Sequence, residues 1–306
     1  MDCIQSTKDV GDFMRLRAYA KINLGLDILG KRSDGYHEVK MIMQTIQMYD
    51  LLEIKKKKTS GISLTSNVPY VPTDERNLAY KAAKLLMDEF EVQEGLSIKL
   101  EKFIPVAAGM AGGSSDAAAA MIGVNRLFQM GLTDRELMER SVQIGADVPY
   151  CIMRGTALAE GIGERLTSLP ALPRCYVLIG KPSVSVSTKM AYESLDLTSV
   201  SVHPDIDGMI RDIQAGDLTG IVSRMGNVFE PGIQKRYPVI GDIRRLMEEY
   251  GAMKAMMSGS GPTVFGIFQD AAQMEKAAAA LRDSHLAKVV FATEVYNRNG
   301  GTTNDK

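Results

Sequence analysis

Residues 15–29 alternate. Leu16, Ala18, Ala20, Ile22, Leu24, Leu26 and Ile28 share one parity, and Arg17, Tyr19, Lys21, Asn23 and Asp27 fall on the other. A period of two predicts a half-buried strand and sets Lys21 beside Asn23 on its exposed face. Within residues 74–90, Leu78, Ala82, Leu85 and Leu86 recur at helical spacing, residues 97–100 alternate again, and a further helix is predicted from about Ala117. The next helix opens on Thr133 as N-cap with Glu136 as its capping-box partner, and Gly145 stops it. Strands and helices mix without a strict βαβ rhythm, which points to the α+β class. Turn formers gather around residues 167–173 and a strand starts at Cys175, so a domain boundary is predicted there, dividing the chain into residues 14–170 and 171–296. The second part reads strand, long helical stretch, helix 238–250, glycine loop, strand 263–268, helix 270–283 and strand 289–293, a pattern that resembles a ferredoxin-like βαββαβ domain. Residues 1–13 and the end from Asn297 read as loose polar tails.

Composition narrows the classes. Of 306 residues, 45% are hydrophobic and 24% charged, the balance of a globular protein, and the length predicts about two domains. Lys plus Arg number 36 against 37 for Asp plus Glu, so a net charge of −1 gives no field to draw nucleic acid or an anionic membrane, and any phosphate binding must be local. Lys55 to Lys58 follow an apolar stretch and read as a solvated strand edge guarded by lysines. Cys3, Cys151 and Cys175 are odd in number and far apart, which supports neither a disulfide framework nor a zinc motif and fits a reducing cytoplasm. No apolar run approaches a membrane span and the first residues show no signal-peptide core, so a cytoplasmic protein is expected.

The strongest chemical signal is PVAAGMAGGSSDAAAAM, residues 105–121, where glycines and serines lead into an alanine-rich helix. Glycines let backbone approach a phosphate, and the N–H groups of a helix start point at it with the positive end of the dipole. Ser114, Ser115 and Asp116 are also placed to cap the helix. A tight turn with a cap explains a lone glycine loop equally well, but so many small residues where a helix begins favour an anion cradle. It is not a Walker A loop, since no lysine follows the glycines. Phosphoryl transfer then needs a cation and a base from elsewhere, and Lys21 and Asp147 are the candidates. A second Gly/Ser loop, residues 257–265, suggests a ligand held between two such segments.

AKINLGL at Ala20, PVAAGMAGGSSDAA at Pro105 and SGSGPTVFG at Ser258 resemble, in order and spacing, the three signature motifs of GHMP kinases, a resemblance that covers about residues 14–295. It implies an N-terminal domain similar to domain 2 of ribosomal protein S5 and a C-terminal ferredoxin-like domain, with ATP and substrate in the cleft between. DGYHE at Asp34 and GADVPYC at Gly145 look like the branch that phosphorylates a cytidine diphosphate sugar alcohol of the non-mevalonate isoprenoid route. Carried over residue by residue, the resemblance makes Asp147 the group that takes or orients the hydroxyl proton and Lys21 its charged partner. Asn23 would touch the sugar alcohol and Thr188 the methylerythritol, while Tyr36 and His37 would serve the cytosine with Tyr192 on the base's other face. Pro105, Val106, Ala107, Ala108, Gly109, Met110, Ala111, Gly112, Gly113, Ser114 and Ser115 would hold the ATP phosphates, with Asn77 at the nucleoside. Ala107, Ala108 and Ala111 stand where some relatives place more glycines, and Val228 in NVFE stands where an aspartate is frequent. Magnesium is expected with ATP, held by the nucleotide, with no protein metal ligand assigned. The expected partner is the small-molecule substrate alone, with the chain a monomer or weak homodimer. The rivals are another GHMP kinase, acting on homoserine or mevalonate, and a sensor that kept the fold without turnover.

Overall fold

The computed structural model describes residues 12–193, 195 and 203–297. Cys3 and nearly all of both tails lie outside these residues. In chain order the first elements are β1 (Phe13–Lys31), β2 (His37–Lys57), β3 (Ile62–Ser66), α1 (Leu78–Glu89), β4 (Gly95–Glu101), α2 (Gly112–Leu127), α3 (Asp134–Ser141), α4 (Val148–Met153), β5 (Thr156–Gly161) and β6 (Arg165–Ser168). There follow β7 (Tyr176–Lys181), α5 (Thr188–Glu193), α6 (Ile206–Ala215), α7 (Leu218–Arg224), β8 (Gly226–Asn227), α8 (Glu230–Arg236), α9 (Val239–Glu249), β9 (Lys254–Met257), β10 (Val264–Phe268), α10 (Ala271–Asp283) and β11 (Val289–Glu294).

The predicted parity of β1 is observed, for Leu16 through Ile28 are all buried. The opposite parity changes character along the strand. Arg17 is exposed, but Lys21 and Asn23 are 5% and 0% exposed, so the expected exposed face for these two is corrected to a buried one. Over residues 21–28 the strand is covered on both faces. A Cβ at Gly25 would meet Ile206 of α6, and alternation of polarity no longer reports alternation of exposure.

Two compact units emerge from the contacts, one of residues 12–20, 48–106 and 111–153, the other of residues 21–47, 107–110, 154–193, 195 and 203–297. In the first, β4 pairs antiparallel with the second half of β2, and β3 pairs parallel with β4 through the crossover helix α1. Lys55 to Lys57 therefore lie on an interior strand paired to residues 95–97, which corrects their reading as a strand edge. The alanines of α2 let it lie close to the sheet, and a Cβ at Gly123 would fall on Ile54 and Leu16. Helix α3 starts on the predicted capping box but ends at Ser141, ahead of Gly145, where the chain enters a run of turns.

In the second unit β5 pairs with the first half of β2, and the two-residue β8 pairs parallel with Gly25 and Leu26 of β1. Its other sheet is antiparallel, in the order β11-β7-β10-β9. That is the fourth-first-third-second order of the expected ferredoxin-like pattern, with α9 as its first crossover helix and α5 to α8 and β8 inserted before it. Helices α9 and α10 cover β7, since a Cβ at Gly180 would meet Ile243, Met247 and Leu281. Among the described residues no helix is long and apolar enough to cross a membrane.

Candidate active site

The glycine loop turns into α2 five residues before the predicted start. Ala111 is the N-cap, in a left-handed conformation (φ 55°) and without a side-chain capping bond. The first intrahelical bond runs from Ser115 N to the Ala111 carbonyl at 2.8 Å, so the N–H groups of residues 112–114 have no intrahelical acceptor and form the positive end of a 16-residue helix. The three proposed caps are corrected. Ser115 is buried and its hydroxyl donates to the Tyr19 carbonyl at 2.6 Å, Asp116 is buried in an ion cluster, and Ser114 stays half-exposed on the first turn. Ala108 and Met110 are buried, whereas Val106 and Ala107 are exposed. A Cβ at Gly112 would point inward, 3.0 Å from Ile104 Cγ2 and 3.2 Å from Lys102 Nζ, so this glycine serves packing beneath the loop.

In the second unit the buried ammonium of Lys21 donates to Asn23 Oδ1 at 2.7 Å and to the Gly109 carbonyl at 3.2 Å. The two odd-parity residues of β1 and the glycine loop are thus brought together. Gly109 is left-handed (φ 71°), and a Cβ there would fall on the Ser258 carbonyl, so only glycine admits this approach. Ser258 Oγ donates to the same Gly109 carbonyl at 3.0 Å, and Thr188 Oγ1 lies 3.2 Å from Ser260 Oγ. The second Gly/Ser loop therefore joins the Lys21 cluster through Ser258, and Thr188, the residue expected near the methylerythritol, reaches that loop at Ser260.

The aromatic residues divide. His37 and Tyr192 stack at 4.8 Å between centroids with planes 28° apart, and Phe229 meets Tyr192 edge-on at 4.9 Å. A base inserted between His37 and Tyr192 needs about 7 Å, two contact distances, so here the rings form a closed stack rather than a slot. Tyr36, at the tip of the β1–β2 hairpin, is 60% exposed.

Asp147 lies half-buried in the turn before α4, where its carbonyl accepts from Cys151 N at 3.1 Å. Asn77 is occupied locally. Its Oδ1 accepts from Ala79 N at 2.9 Å as the N-cap of α1 and its Nδ2 donates to the Pro72 carbonyl at 2.8 Å.

Beneath the loop the first unit holds a cluster that the sequence did not announce. Lys102 Nζ donates to Asp50 Oδ2 and, at 2.7 Å, to Asp116 Oδ2, and all three side chains are buried. Asp50 Oδ1 also accepts from Phe103 N and Ile104 N at 2.5 and 2.8 Å, which fixes the chain entering the loop. Burial pushes the Asp116 carboxyl well up, Lys102 opposes that and Asp50 adds to it. The ammonium of Lys102 is raised because its two carboxylate partners outweigh its burial. Asp116 Oδ1 has no hydrogen-bond partner among the described residues.

Comparison with known proteins identifies the family. Residues 77–155 match the GHMP kinases N terminal domain and residues 209–287 the GHMP kinases C terminal domain. A 4-diphosphocytidyl-2-C-methyl-D-erythritol kinase of Lachnospira eligens is 53% identical over 283 residues, 92% of this chain and 98% of that protein. A crystal structure of 4-(cytidine 5'-diphospho)-2C-methyl-D-erythritol kinase superposes with a TM-score of 0.80 at 29% identity, over 93% of this chain and all of that one. A homoserine kinase from Cytophaga hutchinsonii reaches a TM-score of 0.75 at 19% identity, over 97% of this chain and 96% of its own, and shares the fold alone. The chain belongs to the GHMP kinases, in the branch whose curated members are named 4-diphosphocytidyl-2-C-methyl-D-erythritol kinase.

Proposed function

We propose that the protein transfers the γ-phosphoryl group of ATP to the 2-hydroxyl of 4-diphosphocytidyl-2-C-methyl-D-erythritol, in the cytoplasm, with residues 14–170 and 171–296 as its functional domains. The observation that carries the reading is the buried Lys21 ammonium held against Gly109 of the glycine loop, in a chain 53% identical to a kinase of that name. The hydroxyl oxygen forms a bond to the γ-phosphorus as the bond to the ADP oxygen breaks, and the hydroxyl proton leaves to Asp147. Lys21 neutralises charge developing on the transferred oxygens. Asn23 and Thr188 hold the sugar alcohol, and the N–H groups at the start of α2, with Gly109 and Ser114, hold the phosphates. Magnesium bound to the nucleotide would offset phosphate charge, with no residue of this chain assigned to hold it.

Cytosine binds at Tyr36, His37 and Tyr192 by capping the observed stack. Stacking is worth about 1–3 kcal/mol per base in nucleic-acid systems, energy that here positions a remote hydroxyl. The test compares turnover of the cytidine-bearing substrate with that of 2-C-methyl-D-erythritol 4-phosphate. The reading expects the latter to be poor, and equal turnover of the two would remove the nucleobase site.

A further inference from the structure

The NVFE segment, residues 227–230, has no part in the chemistry above, yet every polar group of its first side chain is engaged. Asn227 is buried, its Nδ2 donates to the carbonyls of Met257 and Gly259, both at 2.8 Å, and its Oδ1 accepts from Phe229 N at 3.0 Å. The backbone of Asn227 is fixed on β1, through the β8 pairing with Gly25 and Leu26 and the bond from Val228 N to the Leu26 carbonyl at 3.1 Å. The contacts close a ring. From β1 it runs through β8 and the Asn227 amide to the loop of residues 257–261, then through Ser258 Oγ to the Gly109 carbonyl, and back to β1 through Lys21 Nζ. Glu230 also holds the loop, accepting from Met257 N at 2.5 Å.

We propose that Asn227 is a positioning residue for phosphoryl transfer, locking the second Gly/Ser loop at the height where Ser258 and Lys21 share the Gly109 carbonyl. The inference rests on the kinase reading of Lys21. It explains the residue type. Two carbonyls and one N–H must be met by a single short side chain, and asparagine alone at that length supplies two donors and an acceptor. Aspartate keeps the volume but sets a carboxylate oxygen against two carbonyl oxygens. The same amide holds Phe229 edge-on to Tyr192, so one side chain registers both the phosphate end and the aromatic stack.

The test uses the full chain with Asn227→Asp and, separately, Ser258→Ala, which opens the same ring at another bond with little change of volume. Displacement of about 1 Å at a reacting group costs on the order of a hundredfold. In folded protein well below its melting temperature, each variant is expected to lose at least about tenfold in kcat on the cytidine substrate while ATP affinity changes little. Hydrogen exchange at the amides of Met257, Ser258 and Gly261 is expected to accelerate in Asn227→Asp. With Asn227→Ala in place, adding Ser258→Ala should cost little more, since the ring is already open. Parental kcat and loop protection in Asn227→Asp, or parental kcat in Ser258→Ala, overturn the proposal, as does a kcat loss with unchanged exchange. If the parent shows no activity on the cytidine substrate, the kinase reading fails by itself, and the exchange measurement still decides whether the amide holds the loop.

Discussion

Replacing Asp116 by asparagine removes one ionisation from a buried cluster while keeping its shape. In the folded protein burial holds the Asp116 carboxyl well above its ordinary value, with Asp50 adding to the effect and Lys102 opposing it. An unfolded aspartate titrates near 3.9, so between that pH and the folded-state value the native state holds a proton that the unfolded chain has released. Stability therefore falls as pH rises, by about 1.4 kcal/mol per pH unit, until Asp116 ionises in the native state as well. Lys102 is raised and stays protonated across this range, and Glu230, also raised by burial, acts equally on parent and variant and cancels. An amide at position 116 has nothing to ionise. The stability of Asp116→Asn minus that of the parent is thus expected to grow with pH above about 4, and each kcal/mol corresponds to about 2–4 °C in melting temperature for domains of 150–250 residues. Urea or thermal unfolding followed by circular dichroism, at several pH values from about 5 to about 8, measures the difference directly. A difference that stays constant over that range refutes the reasoning. It would mean that Lys102 keeps Asp116 ionised and that Lys102 outweighs burial.

Asp147→Asn and Lys21→Met are each expected to lower kcat by about 10²- to 10⁴-fold with nucleotide affinity little altered, read by single-turnover kinetics beside ATP titration; parental kcat in folded Asp147→Asn rejects its assignment as base. Tyr192→Ala is expected to raise KM for the cytidine substrate by roughly 5- to 150-fold, the equivalent of about 1–3 kcal/mol of stacking. The same variant should leave turnover of 2-C-methyl-D-erythritol 4-phosphate as it was, and an equal loss on both compounds would assign Tyr192 to the scaffold.

How much the sequence disclosed follows from how local each feature is. The core parity of β1, the capping box at Thr133 and Glu136, and the ferredoxin-like second sheet depend on neighbours along the chain and were legible. Exposure of Lys21 and Asn23 was misjudged because β1 is covered on both faces over residues 21–28, and a period of two then marks polarity rather than solvent. The first half of β2 carried no alternation for the same reason, with residues 41–46 buried on both faces. The α2 start was read late because alanine has no cap signature and the turn is made by a left-handed Ala111. The Lys102 cluster joins residues 52 and 14 positions apart, and Asn227 reaches carbonyls 30 and 32 positions away. No periodicity reports such pairings. The signals that existed were a lysine before the apolar Phe-Ile-Pro and an asparagine and glutamate three apart in NVFE, each ordinary by itself.

The central claim is that this chain phosphorylates a cytidine-linked sugar alcohol through the site built around Lys21 and the glycine loop. The most direct measurement is phosphorus-31 NMR of purified protein incubated with ATP, magnesium and 4-diphosphocytidyl-2-C-methyl-D-erythritol, with homoserine and mevalonate in parallel tubes. The account predicts a new phosphomonoester resonance on the 2-oxygen of the cytidine compound, appearing with stoichiometric ADP, and none in the other two tubes. A phosphomonoester on homoserine or mevalonate with the cytidine compound unchanged would contradict it.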